Sequence, residues 1–329
     1  MKVLFIGGTG IISSACSELA IQNGAELYLL NRGSSPRPVP KGATHLRGDI
    51  RQPDTVTKVL GNLTFDSVVE WVAFTPDQVK TDIEMFCKRT GQYIFISSAS
   101  AYQKPPVALP ILESTPLHNP FWQYSRDKAA CEALLEYTGR KEGFPFTIVR
   151  PSHTYDRTLL PFRGRFTSVA RMRAGKPVVV HGDGTSMWTM THNRDFAVGF
   201  TGLLGNPAAI GESFHITSDE VLSWNQIYTL VAQAAGVEPE MVHVPSELIA
   251  KYDPEWGSSL LGDKAHSMIF DNRKIRQLVP QFQPAIPFQQ GVKEIIAWYD
   301  EDVSRQVIEP YIDELQDRLI SAMKRALPE

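Results

Sequence analysis

The start of the chain restricts the available folds more than any other feature. Met1-Lys2 runs directly into the apolar stretch Val3-Leu4-Phe5-Ile6, which ends in Gly7-Gly8-Thr9-Gly10-Ile11-Ile12-Ser13. An amphipathic run, Ile12–Asn23, follows at once. A short apolar strand that breaks on glycines and passes into a helix reads as the opening of a βαβ unit. Glycines permit the tight turn and let backbone N–H groups approach a pyrophosphate at the positive end of the helix. The spacing therefore sets Gly7, Gly10, Ile11 and Ile12 against a dinucleotide. Ser13 stands at the third glycine position of a GxxGxxG pattern. A side chain that small still lets helix and strand pack closely.

The alternation continues. Strand-like runs at Glu26–Leu30, Thr44–Leu46, Ser67–Val72 and Tyr93–Ser97 are interleaved with helical patterns at Thr55–Leu60 and Gln78–Arg89. Strands alternating with helices imply an α/β protein with a parallel sheet. Right-handed crossovers then make the sheet doubly wound, a Rossmann arrangement. Regularity breaks near Ser152, and Pro161, Gly164, Gly175, Pro177, Gly182 and Gly184 mark turns around one helix. Residues 1–155 are therefore expected to form the dinucleotide-binding domain. Residues 190–218, with a helix at Arg194–Leu204 and a strand at Ser213–Ile216, should return to it. Residues 156–189 and 219–300 should build a smaller, sequence-interleaved substrate lobe. In the tail, 301–329, Ile308, Ile312, Leu315, Leu319 and Met323 fall at helical spacing, which predicts an amphipathic C-terminal helix packed on the core.

Charge and composition exclude several classes. The formal net charge is −3, so no overall basic field draws the chain to nucleic acid or an anionic membrane. No apolar run approaches the ~20 residues of a membrane-spanning helix. No leader pattern precedes the first strand, which leads us to expect a cytoplasmic protein. The three cysteines, Cys16, Cys87 and Cys131, are widely spaced and suit reduced core thiols. The eight histidines form no HxH or HxxxH pair, so no metal is assigned. The small net charge hides an uneven distribution. Arg163, Arg165, Arg171, Arg173 and Lys176 occur with no acid between them, whereas the tail from Asp300 has eight acids against four Lys or Arg. The basic run fits either a grip on an anionic substrate group, with Arg163 as the named candidate, or a solvated helix face.

The second strand ends before Asn31-Arg32-Gly33. An acid here would accept hydrogen bonds from the adenosine ribose hydroxyls of NAD and repel a 2′-phosphate. Instead Asn31 is uncharged and Arg32 is a cation suited to that phosphate. The expectation is NADP(H), with NAD(H) as the alternative. After the third strand, Asp49-Ile50 either meets the adenine or forms a turn.

The chemistry lies in Tyr124-Ser125-Arg126-Asp127-Lys128, with Ser97-Ser98 upstream at a strand end. Residues four apart share one helix face, so Tyr124 and Lys128 address one ligand. A free tyrosine has a pKa near about 10. Bringing it to neutrality requires roughly 4 kcal/mol of preferential phenolate stabilisation. A neighbouring ammonium and an oxidised nicotinamide ring can supply this in a partly dry cleft. Tyr124 is then the base for a substrate hydroxyl as hydride leaves, and Ser98 steadies the charge on the same oxygen.

With these motifs the sequence resembles the extended short-chain dehydrogenase/reductase family, and within it the NAD-dependent epimerase/dehydratase group. The resemblance covers about residues 1–300. It rests on Gly7–Ser13, Gly48-Asp49, Ile96–Tyr102, Tyr124–Lys128, Arg150-Pro151 and Gly182-Asp183-Gly184-Thr185. It implies that Ser98, four residues before Tyr102, is the catalytic serine. It also implies that Ala73 and Lys128 contact the cofactor, and that a homodimer forms through helices of the Rossmann lobe. The departures are informative. Ala99-Ser100 follows Ser98 where 4,6-dehydratases have Asp-Glu, which speaks against dehydration. Trp188 stands where nucleotide-sugar epimerases place a phosphate-gripping arginine, and His153 where many relatives have asparagine. Both are candidate substrate contacts. The chain also resembles chloroplast stem-loop RNA-binding members of the family. It lacks the aromatic–basic interleaving of a single-strand reader, so nucleic acid is not the expected partner. The expected function is oxidation of a secondary alcohol on a small sugar-derived substrate, ending in epimerisation. Net dehydrogenation or ketone reduction, and a non-catalytic dinucleotide- or RNA-binding module, are the alternatives.

Overall fold

The computed structural model describes residues 1–326; the last three residues of the expected tail lie outside the described residues. Six strands are labelled β1 (Lys2–Ile6), β2 (Glu26–Asn31), β3 (Thr44–Arg47), β4 (Ser67–Glu70), β5 (Tyr93–Ile96) and β6 (Phe146–Pro151). With the edge strand Ser213–Ile216 they form one parallel sheet in the order Ser213–Ile216, β6, β5, β4, β1, β2, β3. Both faces are covered, which is why the strands read as unbroken apolar runs rather than alternating ones. Along β1, Val3 and Phe5 enter one core and Leu4 and Ile6 the other, following the two-residue period of a strand.

One face packs against α1 (Ile11–Gln22) and α6 (Asn193–Thr201). The other packs against α2 (Pro53–Leu60), α3 (Pro76–Phe86) and α4 (Gln123–Glu142). Proline at the first position starts α2 and α3, where its missing N–H costs nothing. Gly143, at φ +72°, ends α4 in the left-handed conformation. The strand Ser213–Ile216 pairs with β6, and α6 packs beside α1, so residues 193–201 and 213–216 join the layers of the large parallel sheet. A further segment also joins it. Ile275, Val279 and Phe282 are buried in the α1–α6 core, although nothing in their local pattern distinguishes that core from the substrate lobe.

The substrate lobe is built from short pieces: α5 (Phe166–Arg173), the parallel pair Val178–His181 and Met241–Val244, and several helices. The C-terminal helix spans Pro310–Ala326 and buries Ile312, Leu315 and Leu319. Ile308 is outside this helix and half exposed, because Pro310 starts the helix two residues later. The strand expected over 67–72 stops at Glu70, where the chain turns to present Trp71 and Val72 to the cleft. Cys16 and Cys131 are buried, but Cys87, after the last turn of α3, is exposed and is not a core thiol. No helix among the described residues is long and apolar enough to cross a membrane.

Two carboxyl groups sit buried beneath the sheet ends. Glu70, the last residue of β4, accepts a hydrogen bond from the Val72 amide, and Asp82 of α3 accepts one from Tyr93 Oη at 2.8 Å. Glu70 Oε2 and Asp82 Oδ1 have no other hydrogen-bond partner, an arrangement that suits one shared proton. Burial raises both acids, Glu70 well above the ordinary range and Asp82 to about 6, with the Tyr93 hydrogen bond opposing the rise at Asp82. A raised folded-state pKa means that the folded protein holds the proton more tightly than the unfolded chain. The associated stability is present below the unfolded pKa and is lost as pH climbs from about 4 through about 6. Asp82→Asn removes the charge and supplies an N–H for Glu70. We expect its melting temperature to exceed wild type at neutral pH, by the equivalent of about 2 kcal/mol, with the gap closing near pH 4. Thermal melts across that range check this; a gap that does not vary with pH contradicts it.

Candidate active site

All the sheet strands point one way, so the loops after β1, β2, β4, β5 and β6 meet at one edge. There they enclose a cleft of about 820 Å³ at the point where the strand order reverses between β1 and β4. Its floor is the glycine turn. Gly7 and Gly8 have φ of +105° and +89°, which side chains rarely adopt. A Cβ at Gly8 would come within 2.5 Å of Leu29, and one at Gly7 within 3.2 Å of Trp71 and Val72. Ser13, at the third position of the motif, accepts a hydrogen bond from the Gly10 amide at 2.8 Å. No acid occupies the first turn of α1, so its positive end is uncompensated where Gly10, Ile11 and Ile12 line the cleft. This backbone-lined hollow fits a dinucleotide pyrophosphate.

At the far end Asn31 acts as a brace: Nδ2 donates to the Gly7 carbonyl at 3.2 Å, and Oδ1 accepts from the Gly33 amide at 2.9 Å. Arg32 is exposed, lines the cleft beside Ser34 and Ser35, and has no ion-pair partner among the described residues. Asp49 forms the turn expected of it. Its carboxylate caps a turn by accepting from the Arg51 amide at 3.0 Å, and it lines the cleft beside Ile50.

Tyr124 lies in the first turn of α4, and Lys128 one turn later on the same face. The Lys128 ammonium donates to the carbonyls of Ala73 and Ile96, each at 2.7 Å, and lies 5.9 Å from the Tyr124 ring centroid. Ala73 is fully buried and meets the site through that carbonyl. Burial lowers Lys128 to about 8, with nearby carboxylates resisting the fall. The Tyr124 phenol is raised by burial and by Asp263, and a hydrogen bond from Ser98 opposes the rise. Ser98 ends a short hydroxyl chain. Ser125 donates to Ser100 at 2.8 Å, and Ser100 lies 2.9 Å from Ser98, whose oxygen also accepts the Ser100 amide. The chain and the Ser100 amide fix the position of the Ser98 hydroxyl at the edge of the site.

Beyond Tyr124 the cleft gives way to a chamber of about 240 Å³ between the lobes, lined by Ser98, Trp122, Tyr124, His153, Trp188 and Lys264, among others. Thus Trp188 and His153 do reach the site. His153 is held neutral, with its pKa lowered to about 3 by burial and by Lys264. Its Nε2 and the Trp188 indole N–H are buried without a hydrogen-bond partner. Arg163 lines a second hollow of about 210 Å³ but is taken by Asp253 and Glu255, at 3.1 and 3.0 Å. Most of the basic run is paired with acids of the same chain. Arg171 pairs with Asp313 and Asp317, Arg173 with Asp300, and Lys176 lies 3.8 Å from Asp313. Arg163 and Arg171 are committed to acids, whereas Arg165, Arg173 and Lys176 lie exposed at the surface, so part of the run is a solvated face.

Several lining residues escaped the sequence reading. Trp71, Phe74 and Arg51 line the cofactor cleft; Trp122 and Lys264 line the chamber. Trp122 precedes Tyr124 by two residues and packs on it, with ring centroids 4.9 Å apart, so proximity in sequence was an available signal. Lys264 had none, since it comes from a distant segment. Among the described residues no group of three His, Cys, Asp or Glu is placed to hold a metal ion.

A doubly wound sheet, a glycine turn and a Ser–Tyr–Lys group at its edge define an extended short-chain dehydrogenase/reductase. The model of the "NAD dependent epimerase/dehydratase family" matches residues 3–217, and the chain belongs to that family. Curated relatives include the chloroplast stem-loop binding protein of 41 kDa b of Arabidopsis thaliana, 29% identical over 74% of this chain. This chain spans 65% of that relative's length. The 2'-dehydrokanamycin reductase of Streptomyces kanamyceticus is 25% identical over 86% of this chain and 80% of its own. The fold is shared with an epimerase of Methanothermobacter thermautotrophicus, at TM-score 0.76, 18% identity and coverage of 93% and 94%. It is also shared with UDP-glucose 4-epimerase of Thermus thermophilus in complex with NAD, at TM-score 0.71, 21% identity and coverage of 91% and 99%.

The glycine turn supplies a direct check. Gly8→Ala forces a side chain into a left-handed conformation and against Leu29. It should cost about 1–3 kcal/mol of stability and sharply weaken dinucleotide binding. Calorimetric titration with NAD and NADP, beside thermal melts, measures both; wild-type affinity in the variant contradicts the assignment of the cradle.

Proposed function

We propose that this protein oxidises a secondary alcohol of a sugar or sugar-derived substrate through Ser98, Tyr124 and Lys128, and that the cycle ends in epimerisation. The observation that carries this reading is the convergence of the Ser98 hydroxyl and the Tyr124 phenol on one chamber that opens from the dinucleotide cleft. Several relatives are named as sugar-nucleotide enzymes, including UDP-glucose 4-epimerases and a dTDP-glucose 4,6-dehydratase, which supports a sugar substrate. Ala99-Ser100 after Ser98 provides no acid for elimination, which argues against the dehydratase branch.

A bound nicotinamide dinucleotide supplies the hydride acceptor and, when oxidised, a positive charge at the site. Gly7, Gly10, Ile11 and Ile12 would hold its pyrophosphate, and Asn31, Arg32, Asp49 and Ile50 its adenosine half. In the protein alone burial keeps Tyr124 as the phenol, so the base becomes competent only with added positive charge. Lys128 provides part of it, fixed in place by the Ala73 and Ile96 carbonyls. Tyr124 takes the hydroxyl proton as the carbon–hydrogen bond breaks and returns a proton when the carbonyl is reduced. Ser98 donates to the substrate oxygen throughout.

The decisive variant is Tyr124→Phe. Cofactor binding should persist while turnover falls by about 10²–10⁴, the range of general acid–base catalysis. Sugars, nucleotide sugars and polyols are screened for both nicotinamide absorbance and product stereochemistry, because an epimerase regenerates its cofactor. Unchanged turnover in the variant overturns the reading. A ketone released with net absorbance change assigns a dehydrogenase instead.

For the cofactor we propose NADP(H) over NAD(H), because Arg32 is an unpaired guanidinium flanked by Ser34 and Ser35 at the ribose end of the cleft. Arg32→Ala should weaken NADP binding by about tenfold or more, as a lost charge-assisted contact does, and leave NAD nearly unchanged. Equal affinities for the two dinucleotides in wild type refute this preference.

A further inference from the structure

The chamber beyond Tyr124 contains a lysine that no other residue pairs. Lys264 has no hydrogen-bond or ion-pair partner for its ammonium among the described residues, although it lines both the 240 Å³ chamber and the 210 Å³ hollow behind it. The neighbouring acid is not available to it, because Asp263 is bound to the buried Lys104 at 3.2 Å. Asp263 lines the same chamber and supports the charge at a distance, and two indole faces approach the ammonium, those of Trp122 and Trp188, with ring centroids 5.8 and 6.0 Å away. A cation–π contact compensates part of the lost hydration. A half-buried charge with no hydrogen-bonded counter-ion is nonetheless costly.

The segment is also built to hold this side chain still. The Lys264 carbonyl is fixed by Ser186 Oγ at 2.9 Å and by His181 Nε2 at 3.1 Å. The Ala265 amide reaches back five residues to the Leu260 carbonyl, at 2.9 Å, a widened turn of the kind that often marks functional sites. Buried Asn119 joins this turn to the catalytic machinery by donating to both the Gly262 and the Ser100 carbonyls, at 2.6 and 2.8 Å. A Cβ at Gly262 would come within 2.7 Å of the Trp122 Cβ, so the turn is pressed against the start of α4. Around the same space His153 Nε2, the Trp188 indole N–H and, in the rear hollow, the Trp224 indole N–H lack protein partners. Buried polar groups are seldom left unpaired, so the surroundings of this lysine are under-satisfied within the protein.

We infer that Lys264 anchors an oxyanion of the substrate, a carboxylate or a phosphate carried on the same small molecule whose hydroxyl meets Tyr124. The inference deepens the reading given above and rests on it for the position of that hydroxyl. Size supports a compact ligand, since the chamber is smaller than the roughly 300–1,000 Å³ of pockets that enclose drug-sized molecules. The substrate class is therefore an acidic or phosphorylated sugar, oriented by its charge at Lys264 and its ring between Trp122 and Trp188.

Calorimetric titration of the NADP-loaded protein with glucose, glucuronate, glucose 1-phosphate and inorganic phosphate tests the anchor. Wild type should bind at least one of the charged sugars about tenfold or more tightly than glucose, the gain of one charge-assisted contact. Glucuronate or glucose 1-phosphate as the tighter ligand identifies which oxyanion is carried. Lys264→Met should erase the advantage while glucose and NADP bind as before, and Lys264→Arg should retain most of it. Inorganic phosphate reports the cation without any sugar. Phosphate binding that Lys264→Met abolishes supports the anchor even where every sugar is silent, and the fault then lies with the sugar reading. Anion binding that survives in a folded Lys264→Met protein, or the absence of any anion binding to wild type, overturns the inference.

Discussion

The buried ion pair between Arg150 and Glu132 holds the active site in register. Arg150, on β6, donates through Nε and Nη2 to the Glu132 carboxylate, at 3.0 and 2.5 Å, and both side chains are almost wholly removed from water. Such a pair repays its desolvation only when its remaining polar atoms are satisfied, and here they are. Ser97 at the end of β5 donates to Glu132, while Arg150 also reaches Tyr102 Oη at 3.0 Å and the Glu113 carbonyl at 2.9 Å. Tyr102 Oη in turn lies 3.0 Å from His215 Nδ1 on the edge strand. One network thus joins α4, β5, β6 and the edge strand. Glu132 is one turn beyond Lys128 on α4, so fixing it sets the helix that presents Tyr124 against the strand end that presents Ser98.

That rigidity explains how a lysine and a tyrosine with unfavourable burial can share a site. Carbonyls hold Lys128 on two sides, and the aromatic rings of Phe74 and Phe95 lie 4.8 and 4.7 Å from its ammonium. The charge is retained in a dry place where its field on Tyr124 is weakly screened. The same dryness lifts the phenol in the protein alone. In the proposed mechanism the two effects cancel only when further positive charge arrives, which ties the basicity of Tyr124 to the loaded state.

The nucleotide-binding half was legible because its determinants are local. A strand, a glycine turn and a helix follow one another without interruption, so Gly7, Gly10 and Ser13 are readable from neighbours. Tyr124 and Lys128 are legible for the same reason, being one helical turn apart. The substrate half was not. Trp188, His153, Trp122 and Lys264 converge on one chamber from four separate segments, and no spacing rule connects them. Helix 273–278 likewise carries an ordinary apolar pattern, and only its packing beside the edge strand Ser213–Ile216 and α6 decides where Ile275 is buried.

The basic run and the acidic tail show how charge read along a chain misleads about charge in space. Read alone, Arg163–Lys176 suggests a surface for an anion. In the folded chain the C-terminal helix lies on α5, Ile312 closes over Gly164, and Asp313 and Asp317 meet the buried Arg171 guanidinium at 2.5 and 2.6 Å. Asp300 takes Arg173 in two parallel bonds, at 2.7 and 2.8 Å. Arg173 and the Asp317 carboxylate are partly open to water, and such pairs contribute little stability individually. Arg171, enclosed and doubly bonded, fixes geometry. With the tail acting as an internal counter-ion, most of the charge between the chamber and α5 is met within the chain, with Arg165 left at the surface, and in the proposed reading a substrate's negative charge is met at Lys264. The unevenness of charge along the sequence therefore serves to assemble the substrate lobe, and in the proposed reading the anion is left to Lys264, a cation that no local pattern announces.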